Sequence, residues 1–126
     1  MDITPILEGL NEAQRAAVSS PPENALIVAG AGSGKTRVLV HRIAWLIQVE
    51  GVSAHSLLAV TFTNKAASEM RLRAESLLGS SAKGMWVGTF HSLAHRVVRM
   101  HCQEAGLPAH YQIIDADDQL RVVKRI

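Results

Sequence analysis

The residues best equipped for chemistry lie between Ala29 and Thr36, in the run Ala-Gly-Ala-Gly-Ser-Gly-Lys-Thr. Gly30, Gly32 and Gly34 alternate with Ala31 and Ser33, and Lys35 and Thr36 close the run. Glycines let the backbone bend so that successive N–H groups face one concavity, which binds phosphate oxygens. Lys35 offers a compact charge for the β- and γ-phosphates of a nucleotide, and the Thr36 hydroxyl offers a ligand for Mg²⁺. The usual phosphate-loop pattern, G-x-x-x-x-G-K-[ST], has glycine where this chain has Ala29. Alanine is comfortable at the end of a strand, and Gly30 is already in place to start the bend. The competing reading is a flexible turn with a surface lysine. The order of the residues and their place between a predicted strand and a predicted helix speak against it.

Two further stretches carry unusual chemistry. Phe62 lies in Thr61-Phe62-Thr63-Asn64-Lys65, and Phe90 lies in Gly88-Thr89-Phe90-His91-Ser92. These are both of the chain's phenylalanines. Each reads in two ways: as a core residue at a strand end, or as an exposed ring beside polar groups on which a nucleic-acid base could stack. Lys65, Arg71 and Arg73 could supply charge for a phosphate backbone. Asn64 also reads as a helix N-cap. His91 and His95, with His101 and Cys102 beyond, invite a zinc reading. It is rejected, because position 101 leaves the face shared by 91 and 95 and no carboxylate or second cysteine completes the set. Ser68 and Ser92 have no recognisable base beside them, so covalent catalysis finds no nucleophile.

These residues need elements to hold them. Thr4 before Pro5 reads as a helix start, and Asn11 with Gln14 as a second one of capping-box type. Residues 25–29, Ala-Leu-Ile-Val-Ala, form a continuous apolar run of strand length. From Lys35 the period turns helical through Leu39, Ile43, Leu46 and Ile47, with Gly51 as the stop. Residues 57–62 read as a second strand. Ala67, Met70, Ala74, Leu77 and Leu78 mark a helix ending at Gly79. Residues 85–90 read as a third strand, followed by a helix over 91–106 closed by Gly106 and Pro108. Asp115 caps a last helix with Leu120, Val123 and Ile126 on one face. That helix has no stop signal, so a fragment is expected. Strands alternating with helices predict an α/β fold with a parallel sheet covered on both faces. Ligands of such sheets bind beyond the carboxyl ends of the strands, so three loops are expected to meet on one edge.

Composition agrees with a folded chain. Of 126 residues, 48% are hydrophobic and 19% charged, which places the chain outside the disordered class. The one cysteine, Cys102, excludes an internal disulfide. No basic leader opens the sequence and no apolar run reaches the ~18 residues of a membrane span, so a cytoplasmic setting is expected. The net charge is +2, unevenly spread: −3 over residues 1–34, +6 over 35–101 and −1 over 102–126. The middle stretch is a candidate face for a polyanion, or simply a solvated helix surface.

The four segments Leu-Asn-Glu-Ala-Gln-Arg-Ala-Ala-Val (10–18), 29–36, Thr-Phe-Thr-Asn-Lys-Ala-Ala-Ser-Glu-Met (61–70) and Gly-Thr-Phe-His-Ser-Leu-Ala-His-Arg (88–96) stand in a recognisable order. In order and spacing they resemble the start of the UvrD/Rep/PcrA group of superfamily 1 DNA helicases, and the likeness covers nearly the whole chain. The resemblance implies a RecA-like P-loop domain over 1–92 and the beginning of an inserted helical subdomain over 93–126. In that group the loop is typically A-x-x-G-x-G-K-T, so Ala29 is the family form. The resemblance assigns Gln14 to the adenine edge of ATP and Arg37 to a place near the base. It assigns Thr61 to Lys65 and Thr89 to His91 to single-stranded DNA. It implies ATP-driven 3′-to-5′ translocation and unwinding, in nucleotide excision and mismatch repair, with repair proteins and single-strand/duplex junctions as partners. The group's Mg²⁺-binding Asp-Glu pair and its transition-state arginines match nothing in residues 1–126. Asp115-Ala116-Asp117-Asp118 opens a helix instead of closing a strand. Negligible ATP hydrolysis by these residues alone is therefore expected. The alternative is a P-loop nucleotide-binding module that is not a helicase.

Overall fold

A computed structural model describes residues 2–126. They divide into two compact units, the first ending at Leu93 and the second beginning at Ala94. The first unit opens with two helices, α1 (Thr4–Leu7) and α2 (Glu12–Ser19). The N-cap of α1 is Ile3 and Pro5 sits in its first turn, so Thr4 is one residue inside the helix and not its cap. The Asp2 carboxylate takes over part of that role by accepting from Thr4 N at 2.9 Å. Hydrogen bonds from the Thr4 hydroxyl and from its N–H hold the Asp2 carboxyl below the usual range.

At α2 the expected capping box forms. Asn11 Oδ1 accepts from Gln14 N at 2.9 Å, and Gln14 Oε1 accepts from Asn11 N at 3.0 Å. The other end of α2 is closed by Arg42. Its guanidinium donates to the carbonyls of Val18 (2.7 Å), Ser20 and Pro21 (2.8 Å). A cation at a helix C-terminus satisfies carbonyls that have no helical donor and meets the negative end of the dipole.

Residues 25–29 depart from expectation. They form no strand; among the described residues the sheet has two strands, neither of which is this segment. Leu26 and Val28 are 87% and 86% exposed. A buried strand needs a neighbour to take its N–H and C=O groups and another layer to cover its side chains. Among the described residues no strand pairs with this run.

Helix α3 (Lys35–Gln48) follows the glycine-rich loop, one turn before Gly51, where the chain adopts a φ of 70°. Then come β1 (Leu58–Thr61), α4 (Asn64–Leu78) and β2 (Trp86–Thr89), a βαβ unit whose strands pair in parallel. Ala59 and Val87 are partners in the ladder and both are buried. Together with Ala67, Met70, Ala74 and Leu78 from α4 they belong to the core, which continues through Val40, Ile43 and Ala44 of α3 to Val18 and Ile6. Val18, Val40 and Ile6 are at most 1% exposed, each worth ~1.5–3 kcal/mol of burial. Among the described residues two polar ones are buried, His41 and Thr89; His41 Nδ1–H donates to Ile6 O at 2.5 Å.

Helix α5 (Phe90–Met100) starts directly at the end of β2 and runs into the second unit. It ends six residues before Gly106; hydrogen-bonded turns fill the gap. In the second unit Tyr111 closes on α5, donating its hydroxyl to His95 O at 3.3 Å with the two rings edge-to-face at 5.5 Å. Asp115 caps α6 (Ala116–Arg125) as expected, accepting from Asp118 N at 2.8 Å. Leu120, Val123 and Ile126 lie on α6 and its end, all exposed.

Candidate functional site

The glycine-rich loop is a tight turn closed on itself. Ser33 N and Ser33 Oγ both donate to Gly30 O, at 3.3 and 2.5 Å. Gly32 and Gly34 have φ of 73° and 83°, a region that L side chains adopt only at a cost. Gly34 is the N-cap of α3, and the ladder of that helix opens with Val38 N on Gly34 O at 3.0 Å. The N–H groups before Val38 therefore have no helical acceptor. A Cβ added at Gly30 or Gly32 would meet nothing within 4 Å, so the backbone there is open to a ligand. Lys35 Nζ lies back over the loop and donates to Ala29 O at 3.0 Å. Thr36 is exposed in the first turn of α3. This donor set fits a polyphosphate: the first-turn N–H groups of a helix N-terminus and one ammonium.

Gln14 ties α2 to this loop. Its Nε2 donates to Ser33 O at 3.2 Å and lies 2.9 Å from where a Cβ on Gly34 would stand. A cavity of about 210 Å³ sits between them, lined by Asn11, Gln14, Val28, Ala29, Ser33 and Lys35 among others. A second cavity, about 350 Å³, shares Ile27 and Lys35 with the first and has Glu23 and Arg42 in its wall. Arg37 points away from both. Its guanidinium donates to Glu8 O at 3.5 Å, resting over Gly9, where a Cβ would fall 2.6 Å from Arg37 NH2. It lines a separate cavity of about 330 Å³ between α3 and α4, together with His41 and Arg73.

The other two loops are brought together by the sheet. Parallel pairing puts Thr61 beside Thr89 at the carboxyl ends of β1 and β2. Phe62 and Phe90, the next residues on each strand, are 91% and 61% exposed, with ring centroids 6.0 Å apart at 51°. The core reading of these phenylalanines is thereby overturned. Burial stops at Thr61 and Thr89 because the chain leaves the sheet there and enters α4 and α5. Both helices are capped at this edge. Thr63, not Asn64, is the N-cap of α4; its Oγ1 accepts from Ala66 N at 3.1 Å, and Asn64 is the first helical residue. Thr89 and Ser92 form a reciprocal cap on α5: Thr89 N donates to Ser92 Oγ at 2.9 Å, and Ser92 N to Thr89 Oγ1 at 3.2 Å. Ser92 thus has a partner that sequence reading did not find, since serine is not the usual reciprocal residue of a capping box. Asn64, Lys65 and His91 are exposed around the aromatic pair. Of the three loops expected on one edge, the ladder joins these two; the glycine-rich loop hangs from α2 and α3.

Comparison with known proteins follows the same residues. The UvrD/REP helicase N-terminal domain matches residues 10–126. The chain belongs to this family. It is 60% identical over its whole length to DNA helicase II of Escherichia coli and 58% identical to DNA helicase II of Haemophilus influenzae. Over 96% of its length it is 48% identical to the ATP-dependent DNA helicase PcrA of Bacillus subtilis. It spans 18% of the two helicase II proteins and 16% of PcrA. Membership of the UvrD/REP family covers α2, the glycine-rich loop, both aromatic loops and α6. Among the described residues no helix is long and apolar enough to cross a membrane.

Proposed function

We propose that this chain forms part of an ATP-dependent DNA helicase that moves 3′-to-5′ along single-stranded DNA. The observation that carries the reading is the exposed pair Phe62 and Phe90, which presents two aromatic faces at the carboxyl edge of a parallel sheet. Solvent-facing aromatic rings among threonine, asparagine and lysine suit unpaired bases, which stack on them in a sequence-tolerant way. The N–H groups at the start of α3 and the Lys35 ammonium hold the phosphates of ATP. Lys35 exchanges its bond to Ala29 O for a phosphate oxygen. The Thr36 hydroxyl would be a ligand to Mg²⁺, and the ion would neutralise phosphate charge. Gln14 reads the adenine, and Arg37 flanks the base once its guanidinium leaves Glu8 O. Thr61 to Lys65 and Thr89 to His91 hold the strand. The relatives named DNA helicase support this assignment of substrate and fuel. By the same reading the parent works in the cytoplasm on the nucleoid, in excision and mismatch repair, at single-strand/duplex junctions with repair proteins. The 126 residues alone bind nucleotide without appreciable turnover.

The test is binding of a labelled single-stranded oligonucleotide to this chain and its Phe62→Ala and Phe90→Ala variants. Each substitution is expected to weaken binding by ~1–3 kcal/mol per stacked base. Lys35→Ala is expected to remove the thermal stabilisation by Mg-ATP and leave DNA binding intact. Nucleotide binding without any DNA affinity in the unsubstituted chain would favour a P-loop module that is not a helicase.

A further inference from the structure

Helix α3 carries Lys35 in its first turn and Arg42 two turns later. Positions i and i+7 share a helix face, and both side chains line the cavity of about 350 Å³ that Ala25 and Ile27 also border. Each cation holds carbonyls of the chain that leads from α2 into the glycine-rich loop. Lys35 Nζ donates to Ala29 O at 3.0 Å, at the far end of that stretch. Arg42 donates to Val18 O at 2.7 Å, to Ser20 O, and to Pro21 O at 2.8 Å, at its near end. Between Pro22 and Val28 the one hydrogen bond among the described residues is Glu23 N to Pro21 O, at 2.7 Å. A third tie, Gln14 Nε2 to Ser33 O at 3.2 Å, joins α2 to the loop itself.

In the proposed ATP complex two of these ties are exchanged. Lys35 leaves Ala29 O for a phosphate oxygen, and Gln14 leaves Ser33 O for the base. The Arg42 fork stays, because its acceptors lie at the C-terminal end of α2, where a cation also meets the negative end of the helix dipole. Burial of Val18 holds α2 in the core, but apolar packing is non-directional. The directed bonds of the guanidinium fix the angle of the helix. Gln14 lies one turn before Val18 on α2, so it is displayed from the helix whose end Arg42 holds. We infer that Arg42 is a positioning residue for base recognition. With nucleotide bound, it is the one side chain among the described residues whose hydrogen bonds hold α2 and its exit to α3, and it sets where the Gln14 amide meets the base. A lysine cannot replace it fully, since an ammonium lacks the planar fork that reaches several carbonyls at once. The inference rests on the reading of Gln14 as the residue that meets adenine.

The experiment measures the affinities for Mg-ATP and Mg-GTP, by competition against a fluorescent ATP analogue. The proteins are the unsubstituted chain, Gln14→Ala, Arg42→Gln, Arg42→Lys and the double variant Gln14→Ala, Arg42→Gln; urea unfolding of each checks the fold. The readout is the ratio of the two affinities, because a merely structural loss weakens both nucleotides alike and leaves the ratio unchanged. Gln14→Ala is expected to lower the preference for ATP by roughly ten-fold, the scale of a bidentate amide contact to adenine. Arg42→Gln is expected to lower it by at least ~three-fold, and the double variant to fall no further than Gln14→Ala alone, because both changes act through one amide. Arg42→Lys keeps a cation at the helix end and is expected to lie between Arg42→Gln and the unsubstituted chain; it carries the comparison where Arg42→Gln unfolds. An unchanged ratio in the Arg42 variants, beside a lowered one in Gln14→Ala, would overturn the positioning role and leave the reading of Gln14 standing. So would a double variant in which the two losses add in full. No binding of either nucleotide by the unsubstituted chain, equal affinities for the two, or a ratio untouched by Gln14→Ala would overturn both.

Discussion

Gln14 shows how much one side chain can be asked to do. Its Oε1 completes the cap of α2 through Asn11 N, while its Nε2 holds the Ser33 carbonyl in the glycine-rich loop. The amide proposed to read adenine is thus already satisfied on both atoms, and reading a base requires it to exchange partners. Removing the amide should therefore affect stability as well as binding. Gln14→Ala is expected to lower stability by ~1–2 kcal/mol, the loss of a cap arm and of a carbonyl's donor. Thermal or urea unfolding checks this. Gln14→Glu separates the two duties. A glutamate still accepts from Asn11 N, so the unfolding midpoint should stay close to that of the parent chain. It cannot donate to Ser33 O, and it adds a negative charge beside the phosphate site, so the stabilisation by Mg-ATP should fall.

At the scale of elements, helix starts decide where the candidate DNA contacts point. Asn64 and Thr63 are both good capping residues, and sequence pattern alone favoured Asn64. Thr63 takes the role because it keeps extended backbone, φ −124° and ψ 150°, as the chain leaves β1. That conformation is what an N-cap requires. The consequence is positional: with Thr63 as cap, Asn64 becomes the first residue of the helix and shares a face with Ser68 and Arg71, four and seven residues on. Thr63→Ala is expected to destabilise the chain by ~1 kcal/mol, whereas Asn64→Ala should change stability by less than ~0.5 kcal/mol. Equal effects on unfolding would return the cap to Asn64. A comparable argument holds at α5. Thr89 and Ser92 cap each other only because Gly88 lacks the Cβ that would push Ser92 away. None of this shows in the sequence, where Gly88 could equally be a weak point in a strand.

Over the whole molecule the exposed run at 25–29 matters most. Five uncharged residues, with Leu26 and Val28 almost fully in solvent, border the two cavities that Lys35 lines. Because these side chains touch little, charging them should leave stability within ~0.5 kcal/mol. The double variant Leu26→Lys, Val28→Lys is expected to unfold at the same urea midpoint as the parent and to stay soluble at higher concentration, since unpaired apolar segments promote association. A midpoint lowered by several kcal/mol in Gibbs energy, about the effect of emptying a core site, would mean the run is buried after all. Sedimentation and urea unfolding measure both halves.

The sequence alone determined the local chemistry. Gly32 and Gly34 mark a tight turn ahead of a helix, because their positive φ leaves little choice of residue. Periodicity also placed α3, α4, β1 and β2 within a few residues, because local spacing is what buries one face of a helix or strand. Other features depended on distant partners. Whether the 25–29 run is a strand depends on a neighbour that could take its hydrogen bonds. Whether Phe62 and Phe90 are core or surface depends on where Thr61 and Thr89 leave the ladder. That Arg42 closes α2, and that Arg71 reaches Val87, depends on packing across 21 or more and 16 residues of chain respectively. A single residue type records none of these, because burial and hydrogen bonding are properties of pairs that only the tertiary structure brings together.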